Sequence, residues 1–229
     1  MDEVLGCGLV PRRHVVPLLY EQVAKRIANI LDDRGVLMHD EFCKIQKKLK
    51  KELDKDRFEH TLGVMYTAAC LAMRYGCDME QARMAGLLHD CAKCIPDDEK
   101  KKLCEKYHIE LSDAEKKNSF LIHAKLGAVL AKKEYDINDE EILHAISVHT
   151  TGAPRMNLLD KIIFVADYIE PNRNKAKNLG KIRALAFENL DVCMLSILED
   201  TLLYLKDGRR EIDPMTKETY LFMKEQCCQ

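Results

Sequence analysis

No stretch of this chain is both long and free of charge, no run alternates with the period of a strand, and neither sign of charge is in excess. The first absence argues against a membrane-spanning helix, which needs about 20 predominantly apolar residues. The second argues against a sheet, because half-buried strands alternate apolar and polar side chains. As for charge, 36 basic against 38 acidic side chains leave a formal net charge of -2, too even for a general nucleic-acid or anionic-membrane surface. Any affinity for phosphate must therefore be local. Internal repeats and low-complexity linkers are also missing, so nothing marks a solenoid or a flexible tether. The first residues, Met1-Asp2-Glu3, lack the basic-then-apolar order of a secretory signal. A soluble cytoplasmic protein, with no membrane and no nucleic acid as partner, is the expectation.

What the chain does have is enough apolar character to fold. Apolar residues make up 47% and charged ones 32% of 229 residues, a balance that excludes disorder and suits one good-sized domain with an extension. The ten cysteines are scattered. Cys70, Cys77 and Cys193 fall inside apolar helical patterns, where a reduced thiol acts as a small hydrophobe. Cys91-Ala92-Lys93-Cys94 forms a C-x-x-C, but no second pair and no thioredoxin-like pattern accompanies it. These thiols, and Cys227-Cys228 at the end, read as ordinary ones.

The periodicity is helical throughout, which predicts an all-α fold. Phe42, Ile45, Leu49 and Leu53 form one apolar stripe on a basic helix. A helix over about 57–75 has apolar residues on two faces and should be buried. Asp78 with Gln81 has the form of a capping box before Met84, Leu87 and Leu88. Pro96 followed by Asp97, Asp98 and Glu99 opens the next helix. Ser112 with Glu115, and Asn138 with Glu141, predict caps for the helices that carry His123 and His149. Lys161 to Glu170 forms an oily helix stopped by Pro171, and a last amphipathic segment runs through Leu195 to Leu205 before Asp207-Gly208. Residues 1–40 carry their own amphipathic pattern, Val15 through Leu31, and read as an N-terminal helical extension covering core surface. Pairing of two subunits into a homodimer, or a remnant of a longer fused protein, are the alternatives for that segment. Residues 41–229 form the main domain.

Inside the oily helix stands Asp167, and a buried carboxylate costs several kcal/mol unless something positive meets it. A metal ion would. Another apolar run ends in His89-Asp90, and His60, His123 and His149 each lie on segments of helical period. A lone histidine in an apolar helix is more often a hydrogen-bonded core residue than a ligand. Four of them with two acids, all in apolar surroundings, form the nitrogen and oxygen set of a hydrolytic metal site. Asp90 is the best bridging candidate, with His60, His89 and Asp167 on one ion and His123 and His149 on a second. His14, His108 and His144 lack such a setting and read as structural, and His39-Asp40 repeats the dipeptide among polar residues.

The order His60, His89-Asp90, Asp167 resembles the HD phosphohydrolase superfamily. Four longer motifs narrow it: Arg57-x-x-His60, Leu87-Leu88-His89-Asp90-x-x-Lys93, His149-Thr150-Thr151-Gly152 and Ala166-Asp167-Tyr168-Ile169-Glu170-Pro171-x-Arg173. Together these look like the YqeK-type HD domain, the bacterial symmetrical diadenosine tetraphosphate hydrolases, from about residue 41 through the tail Ile212-Asp213-Pro214-Met215-Thr216. The resemblance implies a single helical-bundle HD domain holding two divalent metal ions on the six ligands above. Iron is the metal implied, with manganese, cobalt and zinc also suited to mixed histidine and carboxylate ligands. It places Arg57, Lys93, Lys161 and Arg173 on the phosphate chain of a dinucleoside polyphosphate. The amides of Thr151 and Gly152 add donors where glycine permits close approach.

The chemistry implied is attack of a metal-held hydroxide on an inner phosphorus. Asp90 would bridge the ions and take the water's proton, Lys93 would neutralise growing phosphoryl charge, and diadenosine tetraphosphate would give two ADP. Ligand spacing by itself implies only metal-assisted hydrolysis of a phosphoester or phosphoanhydride. Another HD hydrolase acting on deoxynucleotides or cyclic dinucleotides, and a non-catalytic nucleotide-sensing regulator, are the rival readings.

Overall fold

The computed structural model describes residues 33–174, 176 and 178–227, with side chains from residue 41 onward. The chain divides between Lys44 and Ile45 into two units, and every site residue discussed below belongs to the second. The amphipathic pattern expected over residues 15–31 lies outside the described residues. Among the described residues the fold is all-α, without a strand. Helix α1 spans Asp33–Glu52, α2 Lys55–Tyr75, α3 Met79–Leu88, α4 Asp97–Lys106, α5 Asp113–Lys117, α6 Ile122–Glu134, α7 Glu140–Val148, α8 Leu158–Ile169, α9 Leu179–Glu188, α10 Leu190–Asp207 and α11 Pro214–Cys227. None of these helices is long and apolar enough to cross a membrane.

Five helices, α2, α3, α6, α7 and α8, pack against one another as the central bundle. α2 and α3 make the most extensive contact because Gly86 on α3 has no side chain. A Cβ there would lie 3.0 Å from the Met65 Cα on α2. Leu71, Leu87, Leu88, Leu126, Ile146, Ile162 and Ile163 are fully buried in this bundle, and each such side chain contributes about 1.5–3 kcal/mol by leaving water. α8 buries Leu159, Ile162, Ile163, Phe164, Val165, Ala166 and Ile169, so most of its surface is enclosed by neighbours.

Local capping decides where the helices start, and here four expectations need correction. The Ser112–Glu115 box is present but caps only the short α5. A break at Asn118 and a 3₁₀ turn over Ser119–Leu121 follow before α6 begins. The N-cap of α7 is Asp139 rather than Asn138, since its carboxylate accepts from the amides of Glu141 and Ile142. At α3 the Asp78 carboxylate does cap, but Gln81 reaches Asp139 at 2.8 Å instead of closing a box. α8 starts at Leu158, three residues before the predicted Lys161. Asn157 and Asp160 form a capping box there, each side chain accepting from the other's backbone amide. Pro171 does end that helix, and Gly76, at φ 74, terminates α2.

Candidate metal centre

Each bundle helix delivers its part of the centre. His60 projects from the second turn of α2, His123 from the first turn of α6, and Asp167 from the last turn of α8. His89 and His149 are the C-cap residues of α3 and α7. After His89 the chain tightens into successive three-residue turns, with the amides of Cys91 and Lys93 donating to Leu88 and Asp90. That curl lets two neighbours, His89 and Asp90, face the same spot, with His89 Nε2 3.4 Å from Asp90 Oδ2.

All six predicted ligands converge. Asp90 is central, and its two oxygens face different partners. Oδ2 lies 3.8 Å from His60 Nε2 and 3.4 Å from His89 Nε2. Oδ1 lies 3.1 Å from His123 Nε2 and 3.6 Å from His149 Nε2. Asp167 Oδ1 sits 3.0 Å from His60 Nε2 and 3.9 Å from His89 Nε2. Asp167 is half-buried, its side chain 21% exposed, and so less enclosed than the oily helix around it predicts. The remaining five side chains are nearly inaccessible.

Three of the histidines have their tautomer set by the backbone. The Nδ1 atoms of His89 and His149 lie 2.7 Å from the carbonyls of Gly86 and Ile146, and His123 Nδ1 faces that of Phe120. A carbonyl only accepts, so each Nδ1 carries a proton and each Nε2 is the ring nitrogen turned toward the centre, bare whenever the ring is neutral. His123 and His149 thereby bring two such nitrogens within 3.1 Å of each other. His60 Nε2, His89 Nε2 and Asp90 Oδ1 are buried without a hydrogen bond. Buried polar atoms of this kind are rare and costly. Lone pairs facing a carboxylate repel unless a cation or proton lies between them.

A metal ion fits that requirement. In each of three triads, His60/His89/Asp90, His89/His149/Asp167 and Asp90/His123/His149, the candidate ligand atoms lie within 4.8 Å of one another. Donors about 2.1 Å from a common ion can be at most roughly 4.2 Å apart. The triads are therefore close to ligating geometry as they stand.

Electrostatics support the same use. Burial pushes the Asp90 carboxyl up, but the imidazoles around it, His89 first, hold it well below the usual carboxylate range. Asp167 is lowered in the same way: burial opposes ionisation, and His60, Arg173 and His89 outweigh it. For His89 burial disfavours the charged ring, yet Asp90 and Asp167 raise its pKa overall. His123 goes the other way, pushed down to about 4 mainly by burial. In the metal-free protein the His123 ring is therefore expected to stay neutral until about pH 4. Between the ordinary value of 6.5 and about 4 the unfolded chain binds more protons at this ring. Its contribution to stability is thus complete above 6.5 and lost as pH falls through about 4. Ring NMR shifts followed through an acid titration would check this, and a midpoint near 6.5 in the folded protein would contradict the dry setting.

Three of the four predicted phosphate-binding cations reach the centre. Arg57 Nη1 donates to Asp90 Oδ2 at 2.6 Å, and Arg173 Nη2 to Asp167 Oδ1 at 2.6 Å. Lys93 Nζ lies 3.1 Å from His123 Nε2 and 3.7 Å from Asp90 Oδ1. Burial lowers the Lys93 pKa, against the pull of Asp90. Lys161 is placed elsewhere, its ammonium pairing with Asp191 of α10 at 2.7 Å. Gly152 also has its own partners. Its amide already donates to Val148, and its close approach, at φ 68, is to Thr219 of α11, where a Cβ would meet Cγ2 at 2.6 Å. Of the Thr151 side chain, the structure shows a bond to the Gly152 carbonyl.

Other residues in contact with the centre carry no predicted role. Thr150 Oγ1 lies 3.1 Å from His149 Nε2 and 3.3 Å from His123 Nε2. Phe120 supplies the carbonyl for His123, and its ring stacks edge-on to His123 with the Lys93 ammonium 3.8 Å from its centroid. Glu170, part of a quoted motif, lies 3.0 Å from His60 Nδ1. Arg183 had no sequence signal, because it acts only on main-chain carbonyls, those of Ile169, Glu170, Pro171 and Arg173. Cys91 is buried, its thiol donating to the Gly127 carbonyl and pushed up to about 12 by burial, which suits packing rather than redox work.

The HD domain family model matches residues 57–172, the span that carries all six converging ligands. The chain belongs to the HD domain family. This HD chain is 40% identical over 174 residues to "Bis(5'-nucleosyl)-tetraphosphatase, symmetrical" of Bacillus subtilis, covering 75% of this chain and 91% of that protein. The protein of the same description from Halalkalibacterium halodurans is 40% identical over 172 residues, again covering 75% and 91%. Among solved structures, a "predicted HD superfamily hydrolase involved in NAD metabolism" from Clostridium acetobutylicum superposes on the HD chain with a TM-score of 0.78 at 40% identity. That match covers 81% of this chain and 97% of the other.

Proposed function

We propose that this chain is a symmetrical bis(5'-nucleosyl)-tetraphosphatase that hydrolyses diadenosine tetraphosphate to two ADP. The observation that carries the reading is the placement of Asp90, with one oxygen turned to His60 and His89 and the other to His123 and His149. Relatives at 40% identity that bear this activity in their description supply the substrate. Residues 41–229 are the catalytic domain in this reading, and residues 1–40 an extension to it.

His60, His89, Asp90 and Asp167 would hold one divalent ion, and Asp90, His123 and His149 a second, with iron as the proposed metal. When bound, such ions supply Lewis acidity and bring the pKa of water from 15.7 toward about 7. Asp90 then needs no basicity, and its depressed pKa suits a ligand better than a proton acceptor. Arg57, Lys93 and Arg173 concentrate positive charge around the centre of a protein with net charge -2. They orient the tetraphosphate and neutralise charge on its oxygens as the bond from one inner phosphorus to the oxygen bridging it to the other breaks. Water's oxygen ends on one ADP and the bridging oxygen on the other.

Anaerobic purification, metal analysis and chromatography of the products test this directly. Two ADP per substrate are expected. ATP with AMP would contradict symmetrical cleavage, and turnover of deoxynucleotides or cyclic dinucleotides alone would move the chain to another HD activity.

A further inference from the structure

His60 differs from the other three histidines in how its second nitrogen is satisfied. His89 and His149 cap their helices, where the last-turn carbonyls are left over, and each takes the one three residues back. His123 uses the carbonyl of the 3₁₀ turn before α6. His60 lies inside α2, where the nearby carbonyls serve the helix itself. Its acceptor must come from elsewhere in the fold, and it is Glu170.

Everything around Glu170 is built for that contact. The residue is 1% exposed and is the C-cap of α8. Oε1 lies 3.0 Å from His60 Nδ1, while Oε2 accepts from the Asn172 amide at 2.7 Å. Arg183 pins the turn from outside by donating to the carbonyls of Ile169 and Glu170, each at 2.8 Å, and of Arg173 at 2.9 Å. On α2, one turn after His60, Gly63 leaves the space that the carboxylate fills. A Cβ at Gly63 would lie 2.4 Å from Glu170 Oε2.

We propose that Glu170 is a positioning residue, seated against Gly63, that holds the His60 ring in its Nδ1–H tautomer and strengthens Nε2 as a donor to a metal ion. A carboxylate acceptor draws the Nδ1 proton more strongly than a carbonyl does, so electron density at Nε2 rises. His60 is thus the histidine whose donor strength is set by a charged partner rather than by the backbone. The inference rests on the ligand role assigned to His60 above.

The test compares wild type with Glu170→Gln, Glu170→Ala and Gly63→Ala. Nitrogen-15 histidine NMR of protein loaded with diamagnetic zinc(II) reads the tautomer without turnover, because the ion then replaces any proton between His60 Nε2 and Asp167 Oδ1, and chelator competition reads metal affinity. Wild-type His60 is expected as the Nδ1–H form. Glu170→Ala and Gly63→Ala should mix the tautomers and weaken metal binding about 10- to 100-fold, the range for outer-shell partners of ligating histidines. Glu170→Gln keeps an acceptor without its charge, so it should restore the tautomer but only part of the affinity. Thermal unfolding of the metal-free proteins identifies any variant that is simply misfolded, and the glutamine variant, nearly isosteric, then decides. A wild-type His60 in the Nε2–H form, or affinity in Glu170→Gln and Glu170→Ala within twofold of wild type, would overturn the proposal. Wild-type protein that binds no metal would instead sink the reading of the centre itself.

Discussion

An Asp90→Asn variant is expected to lose at least about 10³ in kcat and to retain substoichiometric metal. Loss of an outer-shell partner of a metal ligand already costs about 10- to 100-fold, and Asp90, which lies between two histidine pairs, is proposed as a ligand itself. An asparagine side chain offers one neutral oxygen where the carboxylate offers two charged ones, and it turns an NH₂ group toward the other pair. If its oxygen keeps the place of Oδ1, 3.1 Å from His123, the His60 and His89 side faces a donor instead of an anion. Arg57 loses its 2.6 Å partner as well. Metal analysis and kcat measured on the same preparation check this, with circular dichroism to confirm that the bundle has folded. Full metal content with kcat within tenfold of wild type would show that Asp90 does not join the two halves.

Exhaustive chelation is expected to abolish hydrolysis and to destabilise the fold, and readdition of iron(II) or manganese(II) to restore both. The reason lies in the orphaned atoms of the centre. His60 Nε2, His89 Nε2 and Asp90 Oδ1 are buried without hydrogen bonds, each at a cost of about 1–3 kcal/mol. An ion bound to the folded form alone adds about 2.7 kcal/mol per site at a hundred times its Kd. The effect should appear as a melting temperature that rises with metal concentration. Turnover that survives complete metal removal would refute the metal-assisted mechanism.

Much of this was legible because helical period and burial are local properties. The run from Ile162 to Ile169 reads as an enclosed helix, and α8 is one. The dipeptide His89-Asp90 follows an apolar run, and α3 does carry it into the bundle's interior. The six candidate ligands, which the fold does bring together, could be chosen because their surroundings were oily, and burial is what makes an imidazole or carboxylate seek a cation.

Capping was harder to read, since two adjacent residues of similar chemistry compete. Asp139 won over Asn138 at α7, and Asn157 went unrecognised at α8 because its partner is Asp160 rather than the usual Glu or Gln and Asp160-Lys161 interrupts the apolar pattern. The substrate residues exposed a different limit. Arg57, Lys93 and Lys161 look alike in a sequence, but only packing decides that Lys161 pairs with Asp191 while the other two meet Asp90. Gly152 shows the same thing for backbone. A glycine after a helix announces a left-handed turn or a close neighbour, and the neighbour proved to be Thr219 rather than a ligand surface.

By itself, then, the order of residues pointed to the helical fold seen among the described residues and to six side chains as candidate metal ligands, with hydrolysis at phosphorus as the leading reading beside a nucleotide-sensing one. Those follow from periodicity and from which side chains can be buried at tolerable cost. Tertiary structure alone decided that Lys161 pairs with Asp191, that Arg183 clamps the turn after α8, and that Glu170 answers His60 across 110 positions of sequence. Such pairings depend on the angles at which helices cross and on a missing side chain at Gly63, and no local pattern encodes either.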